Sequence, residues 1–241
     1  VKSGAIRYGG ITVSKTTELT GAGVAHLDES ILLPQLGCPA GSIGIAVGDM
    51  LEHSNRAAIE ASFELLDLHA NNRVLEVGLG NGAHIPFILD QAAGVHYTGV
   101  DISPTMIAVA RCRNAAYVRD GIVTLETADV VAMPFPAASF DKAITINCTY
   151  FWPTLVAGLR AMRRTLRMNG TLVIAAITPE AAIEMPFADY GFTVHDAATL
   201  EAACAGAGFD EIGITRYLEP LADPPRETGQ REFYLLRALA V

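Results

Sequence analysis

Cysteine pairs, a long apolar run and an excess of positive charge are all missing from this chain of 241 residues. Cys38, Cys112, Cys148 and Cys204 stand far apart, with no Cys-x-x-Cys spacing and no His pair beside them. Such spacing indicates neither a zinc site nor a disulfide framework, so the four read as reduced thiols of a cytoplasmic protein and no bound metal is expected. No apolar stretch reaches membrane-spanning length, and the N-terminal segment lacks the apolar core of a signal peptide, so no membrane partner is expected. A net charge of −9 repels a phosphate backbone; nucleic acid is therefore a poor partner, and a small molecule is a better one. The histidines show no metal-ligand spacing either, and only His53 and His195 fall in segments that could line a site and supply a general base.

What is present is apolar content, 51%, enough for the core of one large α/β domain. The most informative stretch is Glu-Val-Gly-Leu-Gly-Asn-Gly, residues 76 to 82. Val74, Leu75 and Val77 have the character of a buried strand, and Gly78, Gly80 and Gly82 remove side chains where the backbone bends sharply and touches a ligand. Strands and helices alternate from there, the rhythm of a parallel sheet. Strands are expected at 73 to 77, 96 to 100, about 122 to 127, 141 to 147 and 171 to 177. Between them lie helices at about 82 to 92, from Ser103-Pro104, and at about 153 to 167, the last stopped by Asn169-Gly170. A final helix at 197 to 205, capped by Asp196 and stopped near Gly206, precedes strands near 211 to 218 and 231 to 239. Two strands in succession predict an antiparallel hairpin at one edge.

Before residue 54 the chain changes character. Pro34, Pro39, Gly41, Gly44 and Gly48 read as helix breakers, although 45 to 52 could form a helix. Ser54 or Asn55 is expected to cap the next helix, with Ile59, Ser62, Phe63 and Leu66 on one face. Residues 1–53 are thus expected to be an appendage that acts as a lid, and 54–241 the main domain.

The Glu-x-Gly-x-Gly-x-Gly turn at Glu76 resembles the first motif of class I S-adenosylmethionine (SAM) dependent methyltransferases. Further likeness lies at 98 to 106, 127 to 141 and 168 to 174. The resemblance implies a Rossmann-like α/β fold, a seven-stranded mostly parallel sheet with helices on both faces and an antiparallel C-terminal hairpin strand. It implies SAM as cofactor and S-adenosylhomocysteine as product. Gly78, Gly80 and Gly82 would meet the amino-acid portion with Glu76 in support, and Asp101 would accept the ribose hydroxyls. Ile102 would pack on adenine, Asp129 would take its amino group, Val130 would contact the ring through its backbone, and Asn147 would close the set.

After Asn147 come Tyr150, Phe151 and Trp152, rings able to hold an apolar acceptor beside a sulfonium methyl. Tyr150 is also a candidate catalytic group. Met185, Phe187, Tyr190 and Phe192 occupy a connection too long for a turn and too apolar for a solvated loop, so with Tyr150 and Trp152 they are expected to form the acceptor pocket. Methyl transfer to the oxygen, nitrogen or carbon of a small molecule is the leading reading. A non-catalytic SAM-binding partner subunit stays open, because such folds can lose their chemistry. So does a NAD-dependent oxidoreductase, because Gly78, Gly80 and Ala83 also satisfy Gly-x-Gly-x-x-Ala. Arg160, Arg163, Arg164 and Arg167 fall at i, i+3, i+4 and i+7, and this basic stripe is expected to be a solvated helix face.

Overall fold

A computed structural model describes residues 6–8, 11–13, 29–183, 192–220 and 230–241. Two short strands, β1 (Ile6–Tyr8) and β2 (Ile11–Val13), pair antiparallel by themselves. Helices α1 (Glu29–Gly37) and α2 (Gly41–Leu66) follow, then β3 (Arg73–Val77), α3 (Ile85–Leu89), β4 (His96–Asp101), α4 (Pro104–Arg113), α5 (Ala115–Arg119) and β5 (Val123–Thr127). Next come β6 (Phe140–Ile146), α6 (Leu155–Thr165), β7 (Leu166–Ile177), α7 (Pro179–Ile183), α8 (Ala197–Ala207), β8 (Phe209–Leu218) and β9 (Glu232–Ala240). The main sheet has seven strands in the order β5-β4-β3-β6-β7-β9-β8, parallel as far as β7 and antiparallel beyond it. The Rossmann-like expectation is met.

Burial on both faces explains why β3, β6 and β7 carry apolar residues without alternation. One face packs Ile59, Phe63 and Leu66 of α2 with Ile85, Ile88, Ile107 and Ala110 of α3 and α4. The opposite face packs Leu155, Leu159 and Met162 of α6 with Leu200, Ala203 and Cys204 of α8. Ser103 caps α4, its Oγ accepting from the Met106 N–H at 3.1 Å, and Asp196 caps α8 through the Thr199 N–H at 2.7 Å.

The start of α2 differs from expectation. It begins at Gly41, not at Ser54 or Asn55, and runs unbroken through residue 53, where the lid was expected to end. Its glycines are sites of close approach rather than breaks: a Cβ on Gly48 would meet the Met106 sulfur at 2.7 Å, and one on Gly44 would meet the Pro39 backbone at 2.6 Å. Ser54 and Asn55 lie buried in mid-helix. Pro34 likewise sits inside α1, where Leu32 packs with Val47 and Met50 of α2 in a small separate core.

Two other boundaries moved. Helix α6 ends at Thr165, and Asn169 (φ 59°) with Gly170 falls in a β-bulge where the register against β6 slips between Phe140 and Lys142. Helix α8 runs on to the left-handed Gly208. Arg160, Arg164 and Arg167 are exposed, as expected of a solvated face, but each of the four arginines also has a partner. Arg160 and Arg163 donate to the carbonyls of Gly206 and Gly208 at the end of α8, Arg164 donates to those of Met133 and Phe135, and Arg167, already in β7, pairs with Asp141.

One buried ion pair ties the C-terminal hairpin to α2. Arg231 forms a two-point contact with Glu219 at 2.8 and 2.9 Å, donates to Asn55 Oδ1 at 2.9 Å and to the Ser54 carbonyl, and lies over the Phe233 ring. Both side chains are 3% exposed. Removing one partner strands the other charge, so Arg231→Ala is expected to cost about 3–5 kcal/mol in denaturant unfolding. Combining Arg231→Met with Glu219→Gln should recover much of that loss.

Candidate active site

Chain order reverses on either side of β3, with β4 and β5 laid outward one way and β6 and β7 the other. A crevice opens at such a reversal, at the carboxyl ends of the strands. The residues that follow β3, β4, β5 and β6 there surround a cavity of about 680 Å³, roofed by α1 and α2.

The turn after β3 is left-handed at Gly78 (φ 82°), Gly80 (φ 60°) and Gly82 (φ 65°). The three glycines do different things. A Cβ on Gly78 would strike Cys148 Sγ at 2.5 Å, whereas Gly80 lines the cavity with no atom of the described residues within 4 Å of where its Cβ would stand, space that a ligand can take. Gly82 packs on Ala110 of α4 and is not among the lining residues. Asn81 clamps this turn to α2 by donating to Asp49 Oδ1 at 2.8 Å and to the Gly48 carbonyl at 3.2 Å.

Asp101 ends β4 opposite the turn. Its two oxygens accept the N–H groups of Gly80 at 2.9 Å and Ser103 at 2.8 Å. Burial raises its pKa to about 6, against the lowering effect of those two N–H groups. A carboxylate has several lone-pair directions, so acceptor capacity remains on the cavity side. Ile102, the next residue, is half exposed at the cavity wall. Asp129 and Val130 follow β5; Asp129 Oδ1 accepts from the Val131 N–H at 3.0 Å, and Val130 is buried.

Glu76 is 2% exposed and held by two donors, the Tyr97 hydroxyl at 2.6 Å and His84 Nε2 at 3.0 Å. His84 Nδ1 reaches the Glu52 carboxylate of α2 at 3.0 Å. Burial alone would discharge this imidazole. The charge of Glu76 and the hydrogen bond to Glu52 outweigh it and raise the pKa to about 10, so His84 is an imidazolium between two carboxylates.

Asn147 (φ 51°) leaves β6 and starts the apolar wall. Its Oδ1 accepts the Tyr150 hydroxyl at 2.9 Å, and that hydroxyl also accepts the Ile177 N–H. Phe151 meets Tyr150 and Phe192 edge-on, at 6.0 and 5.0 Å between centroids. Trp152, Leu33, Leu36, Leu51 and Ile59 extend the wall. Met185, Phe187 and Tyr190 lie outside the described residues.

Two sequence-derived candidates lie elsewhere. The stripe of α2 that lines the cavity is Gly48, Leu51, Glu52, Asn55 and Ile59, at helical spacing; His53 falls off it and is exposed. His195 is half-buried and outside the cavity lining, and burial lowers its pKa. Glu52, Asn55, Asn81, His84 and Arg231 were not anticipated. For the first two the signal was that stripe, hidden once the glycines were taken as breakers.

Residues 74–170 match the family model of a methyltransferase domain. The chain is 27% identical to YdaC, an uncharacterised methyltransferase of Bacillus subtilis, over 69% of its own length and 87% of the relative's. It is 31% identical to 27-O-demethylrifamycin SV methyltransferase of Amycolatopsis mediterranei, over 52% of its own length but only 45% of that enzyme's. In fold it is similar to the structure of a Haloferax volcanii complex between the Trm112 methyltransferase activator and a methyltransferase, with a TM-score of 0.67, 18% identity, and coverage of 80% of this chain and 93% of that one. The matched segment is thus that of a methyltransferase domain, and with the glycine turn, Asp101 and the reversed strand order the chain is similar to class I S-adenosylmethionine-dependent methyltransferases.

Proposed function

We infer that the protein transfers a methyl group from SAM to a small, mainly apolar acceptor. The observation that carries this is one cavity with two unlike walls. Glu76, Gly80, Asp101 and Asp129 stand on the polar wall, and Tyr150, Phe151, Trp152, Phe192 and the leucines of α1 and α2 stand on the other. Bound SAM supplies an electrophilic methyl group on a sulfonium.

The glycine turn and Glu76 would hold its amino-acid portion, Asp101 its ribose, and Ile102, Asp129 and Val130 its adenine. The aromatic wall would bring the acceptor into line and exclude water, the alignment that displacement chiefly requires. Tyr150, whose hydroxyl is engaged by Asn147 and Ile177, shapes this wall rather than removing a proton. His53 and His195 are absent from the described cavity lining, which supports an acceptor that reaches the site already nucleophilic. The lid reading is retained for α1 and the first turns of α2, which roof the cavity.

Asp101 gives a test with a sign. Ribose hydroxyls donate to the ionised carboxylate, so affinity is full above pH 6 and is lost as the pH falls through about 6 and the group takes up a proton. His84, near 10, stays charged throughout. Calorimetric titration with S-adenosylhomocysteine should show this fall. Asp101→Asn should bind at least about tenfold more weakly at pH 8, the loss of one charged hydrogen-bond partner, and give a flat profile.

Incubation with methyl-labelled SAM and apolar metabolite fractions should yield a product one methyl heavier. Tight binding of NAD by the parent would defeat the reading, and SAM binding without transfer to any fraction would favour the non-catalytic subunit. Deleting residues 1–40 removes α1, and turnover should fall much more than cofactor affinity; full activity would take the lid out of the account.

A further inference from the structure

Glu52 has no place in the cofactor set that the family resemblance implies. Its carboxylate nevertheless lies one imidazole away from Glu76, at the end of the cavity where the glycine turn and Glu76 meet. The two donors that hold Glu76 both go to Oε2, which leaves Oε1 without either of them. Among the described residues Glu52 is likewise engaged through one neighbour, His84, and its side chain is 18% exposed where it lines the cavity. Two carboxylates and one imidazolium leave one negative charge in surplus in a nearly dry corner. Such a surplus is tolerated where a cation completes the set. A cationic nitrogen at this spot would alternate signs with both carboxylates.

We propose that Glu52 is a second carboxylate for the ammonium group of the cofactor's amino-acid portion, reaching it from the roof helix while Glu76 reaches it from the sheet. This rests on the SAM reading above. It makes α2 part of the cofactor site rather than a cover over the acceptor alone. Binding of the amino-acid portion would then hold the roof down through Glu52, with His84 as the positioning residue that fixes both carboxylates.

S-adenosylhomocysteine and 5′-methylthioadenosine separate this from a structural role, because both carry the thioether and adenosine and only the first carries the ammonium and carboxylate. Glu52→Gln keeps an oxygen to accept from His84 Nδ1 while removing the charge. Its affinity for S-adenosylhomocysteine, measured by calorimetry, is expected to drop about tenfold, and that for 5′-methylthioadenosine to stay within about twofold. Equal losses for both ligands would make Glu52 a mere brace of the roof, and no loss for either would remove it from the site; both results overturn the proposal. Should Glu52→Gln melt out, Glu52→Asp, which withdraws the carboxylate by one methylene, is expected to show the same difference between ligands. A parent that binds neither ligand would defeat the SAM reading itself, an outcome distinct from a parent that binds both and a variant that does not discriminate.

Discussion

A carboxylate buried in the middle of a parallel sheet must be paired, and the pairing of Glu76 organises much of this molecule. Unpaired, such a group costs several kcal/mol. Its partners come from two other elements: Tyr97 one strand away and His84 just beyond the glycine turn. Gly99, opposite Glu76 in the β3–β4 register, has no side chain to displace Tyr97, whose hydroxyl lies 3.0 Å from where a Cβ would stand. His84 in turn needs a second acceptor for its other N–H and finds it in Glu52. An intrinsic demand of one strand residue thereby fixes the turn and draws α2 across the strand ends.

The same helix is held at three further points, which explains why it is long and continuous. Gly48 lets it approach Met106, Asp49 receives Asn81 and Arg113, and Asn55 receives Arg231. The exposed Asp49–Arg113 pair contributes little by itself. In the buried Arg231 cluster desolvation offsets much of the attraction. Both ends of the sequence thus meet over one cavity: the hairpin through Arg231 and Phe233, the N-terminal helices through Leu33, Leu51 and Glu52. The fixed part of α2 is the part held to the sheet module through Gly48, Asp49, Glu52 and Asn55.

Cys148 shows how tightly the apolar side is fitted. Its thiol fills the space that a side chain on Gly78 would need, and burial pushes its pKa up to about 12, which keeps it a packing group rather than a nucleophile. The aromatic wall begins immediately after it. Polar and apolar halves of the cavity therefore meet at the contact between the β3 turn and the β6 end, where the strand order reverses.

Local chemistry was enough to read the sheet module. Apolar runs, the Ser103 and Asp196 caps, the glycine turn and the acids after β4 and β5 are all signals within a few residues, and the strands appear where those signals put them. Identity of side chain also carried the buried-strand character of β3 and the hairpin at the end of the chain. Gly44 and Gly48 could not be told from helix breakers, because what they admit, Pro39 and Met106, comes from other elements. Asn169-Gly170 could not be told from a helix stop, because the bulge it makes exists only against β6. The arginine pattern of α6 is regular in sequence, yet its partners are carbonyls at the end of α8 and beside β6. Glu52, Asn55, His84 and Arg231 are separated by up to 179 positions of chain, and their grouping follows from pairing buried charges across the fold. The sequence by itself determined the periodicities and the turn, since those depend on neighbours along the chain; only the tertiary structure decided which buried charges meet, since that depends on neighbours across it.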